Sequence, residues 1–399
     1  MEILALTVNT SDKQVIMVFN AGSSSLKFSI FKALDLSLMF KGQIVEVNNN
    51  KTDLKITDHL GNQVYNKIIK DYFVEFNLIT DWLLSLKDKL EIIAIGHRVV
   101  HGALIYTNSV LINQKVIKKL ERLSSLAPLH LPSNIFLIKR SIQTFPNIPQ
   151  IACFDTEFHH TMPEINRIFA LPQKYQDIGI IRYGFHGLSY EYIADIFPKY
   201  DANSKNIMVL HLGSGASICA MQNLKSIATT MGYTPLDGLV MGTRTGSIDP
   251  GIIFHLLQVH RVRINKLMEE FYFDSGLKGV SNLSGNIKEL IESDNEKAKF
   301  AVELFCSEAA KHLASLLPAL GSLDAIVFTA GIGENSPIIR EKICNYLKFL
   351  GLEIDLSQNQ NNSLKISTEN SKISAYVIKT NEEIIVAQKT LRLINAEKK

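Results

Sequence analysis

The sequence has few cysteines, little charge excess and no long apolar run. Its four cysteines, Cys153, Cys219, Cys306 and Cys344, stand far apart and form no CxxC pair. That argues against a disulfide frame or a zinc site and predicts buried thiols in a reducing cytoplasm. The formal net charge is only +3, so no strong field points to nucleic acid or a membrane surface as partner. Lys118-Lys119 and Lys398-Lys399 read as solvated surface. No apolar stretch approaches the roughly 20 residues that span a bilayer. Residues 1–10 include Glu2 and lack a basic region ahead of an apolar core, so no secretory signal is expected. Low-complexity segments are absent, and 48–50 and 358–362 read as polar surface loops. No GxxxxGK[ST] loop occurs anywhere.

What is present is apolar substance in a long chain: 399 residues, 46% hydrophobic and 20% charged. That is enough for two domains with their own cores. A strand is expected at 15–19, then the turn Ala21-Gly22-Ser23-Ser24-Ser25, then a second strand at 26–31. A similar unit recurs at mid-chain: strand 207–211, turn Gly213-Ser214-Gly215, strand 216–221. The strand-to-glycine spacing matches, and each copy opens about half of the chain, which suggests a duplicated domain. A third apolar strand, 325–328, runs into Ala330-Gly331-Ile332-Gly333-Glu334-Asn335-Ser336. Helices are expected at 77–89, 116–125, 134–143, 252–259, 264–271 and 296–317, the last capped by Ser293 or Asp294. Strands mixed with helices define an α/β protein.

Glycine-serine turns bring backbone N–H groups and short hydroxyls close to a phosphate. Asn20, Ser23 and Ser25 could serve one ligand, with Lys27 adding charge. One such loop alone is equally well a tight hairpin turn. Two matching loops and a third after a strand favour phosphate. In the 96–102 segment, a period of two puts Arg98 and Val100 on one strand face, a cation beside an apolar side chain that suits a small carboxylate. His97 and His101 read as structural histidines. Asp155 follows an apolar strand, which fits a turn or an acid that holds Mg²⁺ or orients a reactant. His159 and His160 read as an exposed pair, His186 as a histidine in a bend, Arg244 as a loop arginine among small residues. Glu382 and Glu383 fit the opening of a helix.

Together, segments 20–27, 96–102, 154–159, 182–187, 211–217, 231–250, 330–336 and 380–383 resemble the acetate kinase family. That family lies within the acetokinases of the sugar kinase, heat-shock ATPase and actin superfamily, and the resemblance covers about 15–387. It implies duplicated RNase H-like (actin-like ATPase) domains with a cleft between them. Residues 1–154 would form the first, with the 386–399 helix packed back on it, and 155–385 the nucleotide-binding second. It implies the reaction ATP + acetate ⇌ ADP + acetyl phosphate with Mg²⁺ (or Mn²⁺) in a homodimer. Direct in-line transfer is expected because no carrier acid stands apart from the Mg²⁺ and orienting roles, and the cysteines and small net charge lead to the expectation of a cytoplasmic protein without nucleic-acid or membrane partners.

The resemblance also assigns roles. Asn20 and Glu382 would serve the metal, and Asp155 would position its water or the substrate. Arg98 and Arg244 would flank the phosphoryl group and carboxylate, and His186 would hydrogen-bond the phosphoryl group. Val100, Leu129, Phe185 and Pro235 would form the methyl pocket. Lys27, Ser23, Ser25, His211, Gly213, Ser214 and Gly215 would bind phosphates, and Asn286, Lys288, Gly331, Ile332, Gly333 and Asn335 the nucleoside. Propionate kinase and a non-catalytic nucleotide-binding homologue are the alternatives. Ser214, Ala228, Ser247, Tyr190 and Leu131 depart from the usual Asn, Asp, Asp, His and Asn. Asn286 and Lys288 replace an Asp and an Arg, so an altered nucleotide preference is expected.

Overall fold

The computed structural model describes residues 13–21, 25–47, 51–69, 75–86, 89–128 and 130–397. Ser23 and Leu129, together with the 48–50 loop, fall outside them. The chain forms two compact units: Met1–Glu157 with Asn381–Lys399, and Phe158–Thr380.

The first unit carries strands β1 Gln14–Ala21, β2 Ser25–Lys32, β3 Leu38–Val47, β4 Lys51–Asp58, β5 Gln63–Ile69, β6 Glu91–Val99, β7 Val110–Leu111 and β8 Gln150–Phe154. They form one sheet in the order β5-β4-β3-β2-β1-β6-β8-β7. β1 pairs antiparallel with β2 and parallel with β6, and β6 runs parallel to β8. Val15 to Phe19 are completely buried, a run with no polar alternation because both faces are covered. On one face, Trp82 of the helix Glu75–Leu84 packs on Phe28 and Phe40. On the other lies the helix Glu382–Glu397. It approaches so closely that a Cβ on Gly96 would stand 2.4 Å from Thr390 Oγ1 and 2.6 Å from Val386 Cγ1. Glycine at 96 lets the helix dock.

The second unit carries β9 Asn206–Leu212, β10 Ala216–Gln222, β11 Lys225–Thr229, β12 Ala325–Thr329 and β13 Ser374–Val377, in the order β11-β10-β9-β12-β13. β9 pairs antiparallel with β10 and parallel with β12, which runs parallel to β13. This repeats β3-β2-β1-β6-β8 in order and direction, so the fold is duplicated. Tyr190, Ile193 and Phe197 pack on Ile207, Val209, Val327 and Tyr376.

The long helix Glu296–Leu320 corrects one expectation. Its cap is Asn295, whose side chain accepts from Lys297 N, while Ser293 accepts from Asn295 N. An N-cap must face the N–H two or three residues on, which puts Ser293 and Asp294 one turn position too early. No helix among the described residues is long and apolar enough to cross a membrane.

Candidate active site

Strand alternation builds the first polar cluster. Val18 pairs with Gly96 in register, so Asn20 and Arg98, two residues on, share the sheet face covered by the Glu382–Glu397 helix. Arg98 forks onto Asp155, with Nε to Oδ1 at 2.8 Å and Nη2 to Oδ2 at 2.7 Å. Its Nη1 meets Glu382 Oε2 at 3.0 Å and donates to Asn20 Oδ1 at 3.1 Å. The Asn20 amide donates to Glu383 Oε1 at 3.2 Å. The planar guanidinium suits this geometry, as it matches a carboxylate with two parallel bonds. Burial works against the charge on Arg98, but Asp155 and Glu382 outweigh it and raise its pKa. Three carboxylates against one guanidinium leave the cluster net negative and rich in hard oxygen donors.

β6 ends at Val99, and the Val100 N–H donates to Asn134 Oδ1 at 3.1 Å. The Asn134 amide donates in turn to the Ala21 carbonyl at 3.3 Å. Asn134 therefore ties Val100 to the end of β1. Lys27 is exposed and sits opposite Asn20 in register, and Ser25 opens β2.

Phe185 and Pro235 are both buried in the second unit. His186 there has φ 59°, a left-handed conformation rare for a non-glycine residue. It opens the helix Gly187–Ile196. Its Nδ1 lies 2.8 Å from Ser217 Oγ, and its ring stacks on His211 at 4.1 Å. His211 Nδ1 meets Ser189 Oγ at 2.8 Å, and Ser189 meets Thr380.

A Cβ at Gly215 would lie 3.3 Å from His186 Nε2 and 3.5 Å from Arg244 Nη1. Two donor groups thus face one glycine of the turn between β9 and β10. Arg244 Nη1 donates to the Pro235 carbonyl at 3.1 Å, and the Thr243 hydroxyl to the Tyr272 carbonyl at 2.8 Å. No carboxylate pairs with Arg244 among the described residues. Burial lowers its pKa, yet a guanidinium keeps its proton in proteins. A half-buried cation without an anion is a place for one to bind.

The other loops gather around the same turn. Gly242 N donates to the Ser214 carbonyl at 3.1 Å, and a Cβ at Gly242 would meet the Gly285 carbonyl at 2.9 Å. A Cβ at Gly213 would stand 3.8 Å from that of Ala330. Ala330 has φ 64° and turns β12 into the helix Ala330–Asn335. Gly331 is exposed with open space above it, Ile332 is half-buried, Gly333 is buried, and the Asn335 amide donates to the Gly331 carbonyl at 2.9 Å. Asn286 is occupied locally: its carbonyl caps the helix Ile287–Ile291 and its amide donates to Glu289. Lys288 is exposed and faces Glu292 at 4.0 Å.

Three features lay outside the sequence reading. Asn134 is one. Arg340 is another: it is completely buried, donating to the Gly333 and Asn359 carbonyls and to the Asn359 and Asn362 side chains. Burial pushes it down to about 10. His159 is the third and a correction. It is buried, not exposed, because its ring bridges Ser226 Oγ and the Phe185 carbonyl; burial pushes it down to about 4. His97, likewise buried, meets Gln150 at 2.8 Å and is pushed down to about 4. Both serve as structure.

The duplicated sheets and the loops at their strand ends define an actin-like ATPase fold. Residues 15–388 match the model of the acetokinase family, and the chain belongs to that family. It is 41% identical to an acetate kinase of Rickettsia typhi over 96% of this chain and 100% of that protein. Among solved structures it resembles a propionate kinase from Francisella tularensis (36% identity, TM-score 0.88, covering 95% of this chain and 99% of that one). It also resembles the Porphyromonas gingivalis acetate kinase (33%, TM-score 0.83, covering 96% and 100%).

Proposed function

We propose that the protein is an acetate kinase, moving the γ-phosphoryl group of ATP to acetate by direct in-line transfer, reversibly. The observation that carries this reading is the pair His186 Nε2 and Arg244 Nη1, both facing Gly215 in a glycine turn, with no carboxylate among the described residues paired to Arg244. Charge on a transferring phosphoryl group spreads over its three equatorial oxygens, and fixed donors stabilise it there. The turn Gly213-Ser214-Gly215 and the 330–335 segment then hold the nucleotide. The Asn286 and Lys288 side chains, engaged with Glu289 and Glu292, leave the nucleoside with weak discrimination.

The Arg98 cluster takes the carboxylate and the metal. Among the described residues no group of three or more His, Cys, Asp or Glu forms a metal site. Mg²⁺ needs no such cage, because it keeps waters and substrate phosphate oxygens and uses one or two carboxylates. Asn20, Asp155 and Glu382 supply hard oxygens of that kind, held by Arg98. Bound there, the ion would neutralise charge on the phosphate oxygens. Acetate is already a nucleophile, so the chain's groups orient it and stabilise charge, and no general base is required. Val100, two residues after Arg98 in the first unit, supplies apolar surface for the methyl group.

The assembly is a homodimer in a reducing cytoplasm. Four buried cysteines suit such a compartment. The uncharged helix Pro250–Gln258 buries none of its residues within the chain, and Ile252, Phe254, Val259 and Met268 are 45%, 60%, 63% and 44% exposed. An apolar patch of that kind can cover itself by pairing with a second copy about a two-fold axis.

Propionate is the second reading, favoured by the likeness to the Francisella tularensis propionate kinase. One methylene changes discrimination by only about 1–3 kcal/mol. Initial rates with acetate, propionate and butyrate, each with ATP, GTP and pyrophosphate, test the proposal. Acetate should give the highest kcat/KM, with ATP and GTP within about tenfold of each other. A propionate preference would replace the acceptor, and strict ATP selectivity would overturn the nucleoside reading.

A further inference from the structure

Tyr190 stands one turn after His186 in the Gly187–Ile196 helix and is 0% exposed. Its phenol meets Ser217 Oγ, and the same oxygen lies 2.8 Å from His186 Nδ1. Burial raises the Tyr190 pKa, so the phenol keeps its proton. A buried donor hydrogen has to be used, and Ser217 Oγ is the acceptor within hydrogen-bond reach of this one. A hydroxyl carries a single hydrogen. With Oγ accepting from Tyr190, the Ser217 hydrogen needs an acceptor of its own, and His186 Nδ1 stands 2.8 Å away to take it. Nδ1 is then the acceptor, and the ring hydrogen sits on Nε2. Nε2 is the atom that faces Gly215 beside Arg244.

We propose that Tyr190 and Ser217 are positioning residues that lock His186 as its Nε2–H tautomer, so that it donates a hydrogen bond to the transferring phosphoryl group. Only the last clause rests on the phosphoryl-transfer reading; the tautomer stands on the hydrogen bonds. Stacking on His211, itself held by Ser189, fixes the plane of the ring. The atoms nearest a Gly215 Cβ belong to His186 and Arg244, so Tyr190 and Ser217 act through His186.

The test is a two-bond ¹H–¹⁵N correlation spectrum of the full-length protein labelled at histidine, with His186 assigned by its loss in His186→Gln. The wild type should show the Nε2–H pattern at His186. In Tyr190→Phe, packing is kept but the Ser217 hydrogen is free to turn away, so the two tautomers should mix. kcat should then fall about tenfold, the size of one lost hydrogen bond, with the KM for acetate within about twofold. Ser217→Ala should mix the tautomers too. An Nδ1–H pattern in the wild type, or an unchanged spectrum and kcat in Tyr190→Phe, would overturn the proposal. The wild-type spectrum decides the tautomer even if both variants fail to fold. A wild type without kinase turnover but with the Nε2–H pattern would sink the reaction and leave the relay standing.

Discussion

Gly215 is the residue on which the second polar cluster depends, because a side chain there would fill the space that His186 and Arg244 face. A methyl group at that position would lie 3.3 Å from one donor and 3.5 Å from the other. Gly215→Ala should therefore cost roughly 100-fold in kcat/KM, the scale of a lost oxyanion donor. Its thermal midpoint should move little, since the methyl meets side-chain ends and not backbone. Initial rates and a melting curve check both halves of that expectation. Several of these positions are legible in the sequence for a common reason. Asn20, Arg98 and Asp155 are polar residues at the ends of apolar strands, where a polar group has no part in the core. Tyr190 and Ser217 are not legible in that way. Each sits inside an apolar segment, and only the fold, which brings positions 27 residues apart into contact, reveals their link to His186.

At the scale of elements, strands and turns carry most of what can be read beforehand. β1, β2, β9, β10 and β12 appear as short apolar runs bounded by glycine, serine or asparagine, because strands covered on both faces leave an unbroken apolar stretch. Helix ends are less legible: capping depends on one side chain facing one N–H, and Asn295 takes that role where Ser293 and Asp294 are equally suitable by type. Arg340 is hidden more thoroughly. On the helix Pro337–Tyr346 it looks like a surface cation, yet its guanidinium is buried and braces the Gly333 carbonyl in the 330–335 loop. It makes four hydrogen bonds, all to neutral acceptors, so lysine cannot replace the fork. Arg340→Lys should raise the KM for the nucleotide about tenfold while leaving that for acetate within about twofold. It should also lower unfolding free energy by roughly 3 kcal/mol, the cost of stranding buried carbonyls. Nucleotide titrations and urea melts would show this. A KM change shared equally by both substrates would mean that the loop is not what Arg340 holds.

At the scale of the whole molecule, one topology is used twice, β3-β2-β1-β6-β8 and then β11-β10-β9-β12-β13. A glycine follows the first strand in the sequence of both copies, but the two units differ in the polar groups they gather. The first adds β4, β5 and β7 and gathers carboxylates around Arg98. The second gathers glycine loops around Arg244, with which no carboxylate among the described residues pairs. That division of charge, oxygen donors in one unit and anion-seeking groups in the other, is what the proposed metal, carboxylate and nucleotide require. The proposed homodimer would cover the exposed apolar helix Pro250–Gln258. Phe254→Asp should convert a dimer to a monomer by sedimentation velocity, and a monomeric wild type would contradict the pairing.

The most direct measurement of the central claim is acyl phosphate formed from acetate, ATP and Mg²⁺, trapped as the hydroxamate, in the wild type beside Arg98→Ala. The wild type should form acetyl phosphate with turnover. Removing the guanidinium that binds Asp155, Glu382 and Asn20 should cut kcat/KM by roughly 1,000-fold, as for loss of a principal charge-stabilising group. No acyl phosphate from acetate, propionate or butyrate, or an Arg98→Ala enzyme as active as the wild type, would contradict the account.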